Sequence, residues 1–264
     1  MVDAASFLPP LPSYRLPPVI EVSFGIVFQP LASMQTRHLG QFWTEQRAAF
    51  PATNDANPLV DLSDIEAQRL VVLSLPPLRR MMCFSQDQQY AMQVQESRLY
   101  LNWRKQTDIE YPRYPAVHDK FQNLWLEFAK FVEREQLGPV VQVRYELVYV
   151  NHIQLGSNVA QSLEEHVKLF RFSPIQATYL SPPESVNTTW RFAMPNQRGT
   201  ASATLSNATD EKGQNLLVLV LTCVGTPSER YSATDWFHSG HEWIVRSFTE
   251  LTTEAAHQKW ERER

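Results

Sequence analysis

Val19-Ile20-Glu21-Val22-Ser23-Phe24-Gly25-Ile26-Val27-Phe28 sets Ile20, Val22, Phe24, Ile26 and Phe28 on every second position, against Glu21, Ser23, Gly25 and Val27. A two-residue period predicts a strand, because successive side chains leave a strand on opposite faces. Far downstream, Tyr145-Glu146-Leu147-Val148-Tyr149 repeats the order apolar, Glu, apolar, small or apolar, aromatic within a second predicted strand at 140–150. Two such strands suggest that one unit occurs twice.

The surroundings of each strand agree. After the first comes a predicted helix at 36–50, with Leu39, Phe42, Trp43 and Phe50 near one face and Pro51 as its stop. A polar stretch at 51–68 reads as a surface loop. Four strands are predicted at 69–75, 78–85, 89–95 and 98–104, the first two parted by Pro76-Pro77. Phe121, Leu124, Trp125, Phe128, Phe131 and Val132 then recur at helical spacing in a predicted helix at 117–136, closed by Gly138-Pro139. The second half follows the same sequence. A strand at 140–150 is followed by a helix near 162–169 and strands at 175–180, 188–194, 200–207 and 214–224. A last helix starts near Asp235 and breaks near Thr252-Thr253. The fold class expected is α+β: two tandem β-α-β4-α pseudo-repeats, 19–138 and 139–264, with antiparallel sheets and helices packed on one face. Residues 1–18 hold five prolines and read as an extended arm, either a ligand for a partner's groove or a strap along its own domain.

Composition bounds the function. The chain has 264 residues, 43% hydrophobic and 20% charged, enough apolar material for a sizeable core. A net charge of −4 does not favour nucleic acid as the partner, since that affinity comes from Lys and Arg on phosphates. Cys83 and Cys223 are far apart and each lies in an apolar run, which reads as two reduced, buried thiols and places the protein in the cytoplasm. No run approaches the ~18 apolar residues of a spanning helix, so no membrane association is expected.

The β-α-β4-α order resembles the fold class of the TATA-binding protein and the helix-grip ligand-binding proteins. That resemblance implies either a saddle-like sheet that holds a partner or a cavity between helix and sheet for a small apolar ligand. Pro17-Pro18-Val19-Ile20-Glu21-Val22, Leu101-Asn102-Trp103-Arg104 and the closing segment from Phe248 to Trp260 also resemble a sporadically distributed bacterial family of uncharacterised proteins of similar length. The family implies no activity.

No phosphate-binding glycine loop, dinucleotide fingerprint or nucleophile elbow occurs, so no cofactor and no catalytic residue is assigned. His238, His241, Glu242 and His257 cluster in sequence, but Val245 stands where a zincin helix needs its second His; they read as ordinary histidines, with a metal site as the sharper alternative. Binding residues are assigned to three groups. Trp103 beside Asn102 and Arg104 is either a stacking platform or a core Trp. Arg79 and Arg80, with Arg98, Lys105 and Arg113, form a candidate positive patch. Glu21 and Glu146 are the matched carboxylates of the two halves, either catalytic partners or ordinary sheet-face residues. The leading expectation is a non-catalytic protein that holds a protein partner on a sheet face or in the groove between repeats. A small-molecule binder or unusual hydrolase and a nucleic-acid binder are the alternatives.

Overall fold

A computed structural model describes residues 9–59, 78–107, 109–154, 185, 187–210 and 212–264. The protein is α+β, with a large antiparallel sheet and a few helices. The strands are β1 (Val19–Phe28), β2 (Ala52–Ala56), β3 (Arg80–Phe84), β4 (Tyr90–Gln95), β5 (Arg98–Arg104), β6 (Gln142–Gln154), β7 (Asn187–Ala193), β8 (Thr200–Thr209) and β9 (Asn215–Gly225). Their order in the sheet is β2-β3-β4-β5-β1-β6-β9-β8-β7. The helices are α1 (Thr36–Gln46), α2 (Arg113–Arg134), α3 (Ala233–Leu251) and α4 (Glu254–Lys259). Contacts group the chain into two compact units, one of residues 21–148 and 224–233, the other of 1–20, 149–223 and 234–264. The second holds both chain ends and is called the terminal unit below.

In the 21–148 unit, the period of β1 does what its sequence demands. Val22, Phe24, Ile26 and Phe28 are all buried and face the helices. Phe24 stacks on Phe121 with ring centroids 5.5 Å apart, Phe28 meets Phe128 at 5.4 Å, and Phe42 of α1 meets Phe131 at 5.3 Å. Rows of aromatic rings therefore fill the space between sheet and helices, each ring burying a large apolar area. Pairing carries the same face across the sheet. Val22, Phe24 and Ile26 oppose Trp103, Leu101 and Leu99 of β5, which oppose Tyr90, Met92 and Val94 of β4. Directly opposed residues share a face.

In the terminal unit, the arm is a strap. Arg15 N–H donates to the Glu261 carbonyl at 2.9 Å, Leu16 N–H to Trp260 at 3.1 Å, and Glu263 N–H to Ser13 at 2.9 Å. The Tyr14 ring is buried against Phe248, His257 and Trp260, and its hydroxyl meets Thr249 Oγ1 at 2.9 Å. Of the two readings of the prolines, residues 9–16 take the docked one. The ligand reading for those residues is corrected: the backbone N–H groups of Arg15 and Leu16 and the Ser13 carbonyl are engaged by the chain's own end.

Three element boundaries also differ from expectation. Ala52–Ala56 is a strand on the edge of the sheet, although its sequence Ala-Thr-Asn-Asp-Ala is polar and mostly exposed. It pairs with β3 from Ala52↔Phe84 to Ala56↔Arg80, so backbone pairing creates it and not an apolar pattern. Helix α1 ends at Gln46, four residues early, and Phe50 is buried beyond it while accepting the Trp43 indole N–H at 2.9 Å through its carbonyl. Helix α2 starts at Arg113, admitting Pro115 into its first turn, where a proline lacks nothing that a helix needs. The strands predicted at 69–75 and 175–180 and the helix at 162–169 lie outside the described residues.

Candidate binding site

The face of the 21–148 sheet turned away from the helices is polar, and its side chains are joined in a row. Arg80 Nη1 donates to Gln93 Oε1 at 2.9 Å, Gln93 Nε2 donates to Asn102 Oδ1 at 2.7 Å, and Asn102 Nδ2 donates to Glu21 Oε1 at 2.5 Å. The row crosses β3, β4, β5 and β1. Each step is diagonal, because Gln93 directly opposes Met82 and Tyr100, and Asn102 directly opposes Ala91 and Ser23. Diagonal neighbours on one face lie about 7–8 Å apart, a gap that side chains of this length span.

A second row runs beside it. The Tyr100 hydroxyl donates to Glu146 Oε2 at 2.7 Å, and Arg144 Nε donates to Glu146 Oε1 at 2.5 Å. Tyr100 opposes Gly25 in the β1–β5 pairing, and its ring lies against the glycine backbone so closely that a Cβ there would collide with Cδ1 and Cε1. Glycine inside a strand here has a packing reason. Burial pushes the Tyr100 hydroxyl well above the usual tyrosine range, and the Glu146 charge and hydrogen bond push it further.

This face is neither dry core nor open surface. Arg98 is 4% exposed, Asn102 6% and Tyr100 7%, while Glu21, Gln93, Arg80, Arg144 and Glu146 are half-buried. Among the described residues, Arg80, Arg98, Arg104 and Arg144 stand on this face with the carboxylates Glu21 and Glu146. Burial lowers the Arg80 pKa from the usual arginine value; the Tyr100 hydroxyl opposes that and the Arg98 charge adds to it. The two guanidinium groups are thus near enough to feel one another.

The sequence-assigned residues divide between faces. Glu21, Asn102 and Arg80 are brought into one row, and Glu146 into the next. Arg104 opposes Glu21 at the exposed end of β5. Arg79 points elsewhere, exposed and 3.8 Å from Asp55. Trp103 lies on the helix-covered face, 0% exposed, with its ring 5.0 Å from Tyr111. It is the core Trp of the two readings and presents no platform. Arg113 begins α2. Sequence reasoning missed Gln93, Tyr100 and Arg144. Gly25 inside an otherwise bulky strand was the available sign that a side chain from a neighbouring strand crosses it.

The histidines are not gathered. The His241 ring stacks on Tyr149, its Nδ1 3.3 Å from the hydroxyl, while buried His257 contacts Thr252 Oγ1 at 3.0 Å through Nε2. Glu242 pairs with Arg246 at 2.8 Å. No group of three His, Cys, Asp or Glu suited to a metal ion occurs among the described residues. Cys83 and Cys223 are buried free thiols, each pushed up to about 12 by burial, the reverse of an activated nucleophile. Among the described residues no helix is long and apolar enough to cross a membrane.

No family model matches the chain. No curated protein matches it. Among solved structures it is similar to the crystal structure of DynU16, a protein of the dynemicin biosynthetic locus, at 11% identity and a TM-score of 0.22, over 89% of this chain and 98% of that one.

Proposed function

We propose that this protein is a non-catalytic binding protein that holds a protein partner against the polar face of its 21–148 sheet. The observation that carries the reading is the row Arg80–Gln93–Asn102–Glu21 with its neighbour Tyr100–Glu146–Arg144. Arg and Tyr are enriched among the residues that dominate protein interfaces, and groups already held in place lose little freedom on binding. The packed aromatic rows between sheet and helices speak against a small apolar ligand in that layer.

Duplication belongs to the same proposal. With the edge strand β2 left aside, the strand order β3-β4-β5-β1-β6-β9-β8-β7 reads as one four-strand order followed by its reverse, the pattern that two tandem copies would give. Glu21 and Glu146 fall at matched places in the two copies, and both accept from β5, from Asn102 and Tyr100. Two buried free thiols suit a reducing compartment, so the cytoplasm is the proposed location.

The test is capture from host lysate with three baits: the protein itself, the double variant Glu21→Gln/Arg144→Gln, and a control changed at exposed Leu126. A stoichiometric protein retained by the first and third and lost by the second is the expected result. No retained protein, or one held equally by all three, overturns the reading.

A further inference from the structure

Helix α1 opens on Gln35 as its N-cap and carries no acid in its first turn. The first backbone N–H groups of a helix have no partner inside it, and a side chain usually supplies one. Here the side chain is that of His38, 5% exposed. The Gln35 N–H donates to His38 Nδ1 at 3.0 Å, and the His38 N–H donates back to the Gln35 carbonyl at 2.9 Å. A capping box carries Glu or Gln at this place, and both accept at neutral and mildly acid pH. Histidine accepts only while its ring is neutral.

The surroundings suit a neutral ring. Its other nitrogen, Nε2, lies 3.1 Å from Arg37 Nε, which is also a donor. A neutral imidazole has a single proton-free nitrogen, so only one of the two contacts is a full hydrogen bond. The backbone donor is fixed and Arg37 is an exposed side chain, so Nδ1 is the nitrogen that keeps its bond. A second ring proton would sit on Nδ1 and meet the Gln35 N–H head-on. Its charge would lie beside Arg37 and at the positive end of the α1 dipole. Among the described residues no Asp or Glu pairs with the ring. On α2, which packs against α1, Arg134 meets Glu45 and Glu127 meets Gln46, at the far end of α1. Glu96, whose carbonyl receives the Leu31 N–H, is likewise not bonded to the ring. We propose that His38 is an acid-operated latch on the start of α1. Protonation removes the acceptor for the Gln35 N–H, frees the first turn and loosens residues 29–35, which carry the buried Leu31 and Met34 into it. The opened turn takes the proton without that cost, so acid favours the open form.

The experiment follows backbone hydrogen exchange of the full chain by mass spectrometry between about pH 8 and about pH 5, the range in which histidine titrates. Rates are corrected for the intrinsic effect of pH on exchange. Protection of residues 29–42 should fall about fivefold toward acid, the scale of one lost helix cap, while that of residues 121–132 on α2 stays constant. His38→Gln keeps an acceptor in place and does not titrate, so its protection of residues 29–42 should be equal at both ends of the range. Arg37→Gln removes the neighbouring charge and makes the ring easier to protonate, so its loss of protection should begin at higher pH than in the parent. A merely structural histidine would not produce that displacement. Protection in the parent that does not change with pH overturns the inference by itself, whether or not the variants fold. So does a fall in His38→Gln as steep as the parent's, or an unmoved transition in Arg37→Gln.

Discussion

The ring of Tyr100 occupies the space that a side chain at Gly25 would need, and from there its hydroxyl reaches Glu146. One missing Cβ on β1 thus lets a β5 side chain cross a strand and bond with β6. Gly25→Ala should displace the ring and break that hydrogen bond. The expected loss is about 1–3 kcal/mol of stability, the range for overpacking a filled site. Urea unfolding followed by Trp fluorescence reads it. An unchanged midpoint would mean that the ring moves aside freely.

Tyr14 makes the strap part of the terminal unit's core. Tyr14→Ala should destabilise by about 3–5 kcal/mol, as for other large buried aromatics, and Tyr14→Phe by only about 1 kcal/mol for the Thr249 contact. Removing residues 9–16 should be at least as damaging as Tyr14→Ala. Thermal unfolding of the three variants checks the order. A truncated chain with the parent Tm would show that the strap contributes nothing.

The polar row should behave as a connected set. Asn102→Ala and Glu21→Ala each remove a link, and because the two residues touch, a double-mutant cycle should give a coupling of about 0.5–3 kcal/mol. Asn102→Ala paired with a change at exposed Leu126 should be additive within about 0.5 kcal/mol.

Alkali should unfold the protein earlier than its size alone suggests. Cys83 and Cys223 have folded pKa values near 12 against an ordinary 9.0. Their stabilising effect is complete below pH 9, and between 9 and about 12 the unfolded chain releases protons that the folded chain retains. Stability should therefore fall across that window. Urea midpoints from pH 8 to 11 measure the slope, and Cys83→Ala/Cys223→Ala should lessen it, leaving the part that buried Tyr100 and Tyr114 add above pH 10. The same thiols should resist a thiol reagent at pH 8 until denaturant is added.

What the sequence revealed and hid follows from the range of the interactions. β1, β5 and the long helix are legible because each carries its own period, from Val22 to Phe28 and from Tyr114 to Val132. β2 is not, since Ala52–Ala56 has no period and exists through its partner β3. The site is half legible for the same reason. Asn102 and Trp103 are neighbours in the chain and attract one reading together, yet the pleat sends them to opposite faces. Asn102 meets Glu21 only through a register that pairs residues 21–27 with 98–104, a fact of long-range pairing that no local motif encodes.

The amides of Gln93 and Asn102 are symmetric in shape and differ only in which end donates. Arg80 can only give and the Glu21 carboxylate can only take, so the two amides between them are forced to point the same way. The row therefore has a direction, like a line of compass needles set by the magnets at its ends. Reverse one end, with Arg80→Glu, and both amides must rotate or lose their bonds. The charge at position 80 therefore sets the orientation of both amides as far as Glu21, three hydrogen bonds and three strand crossings away.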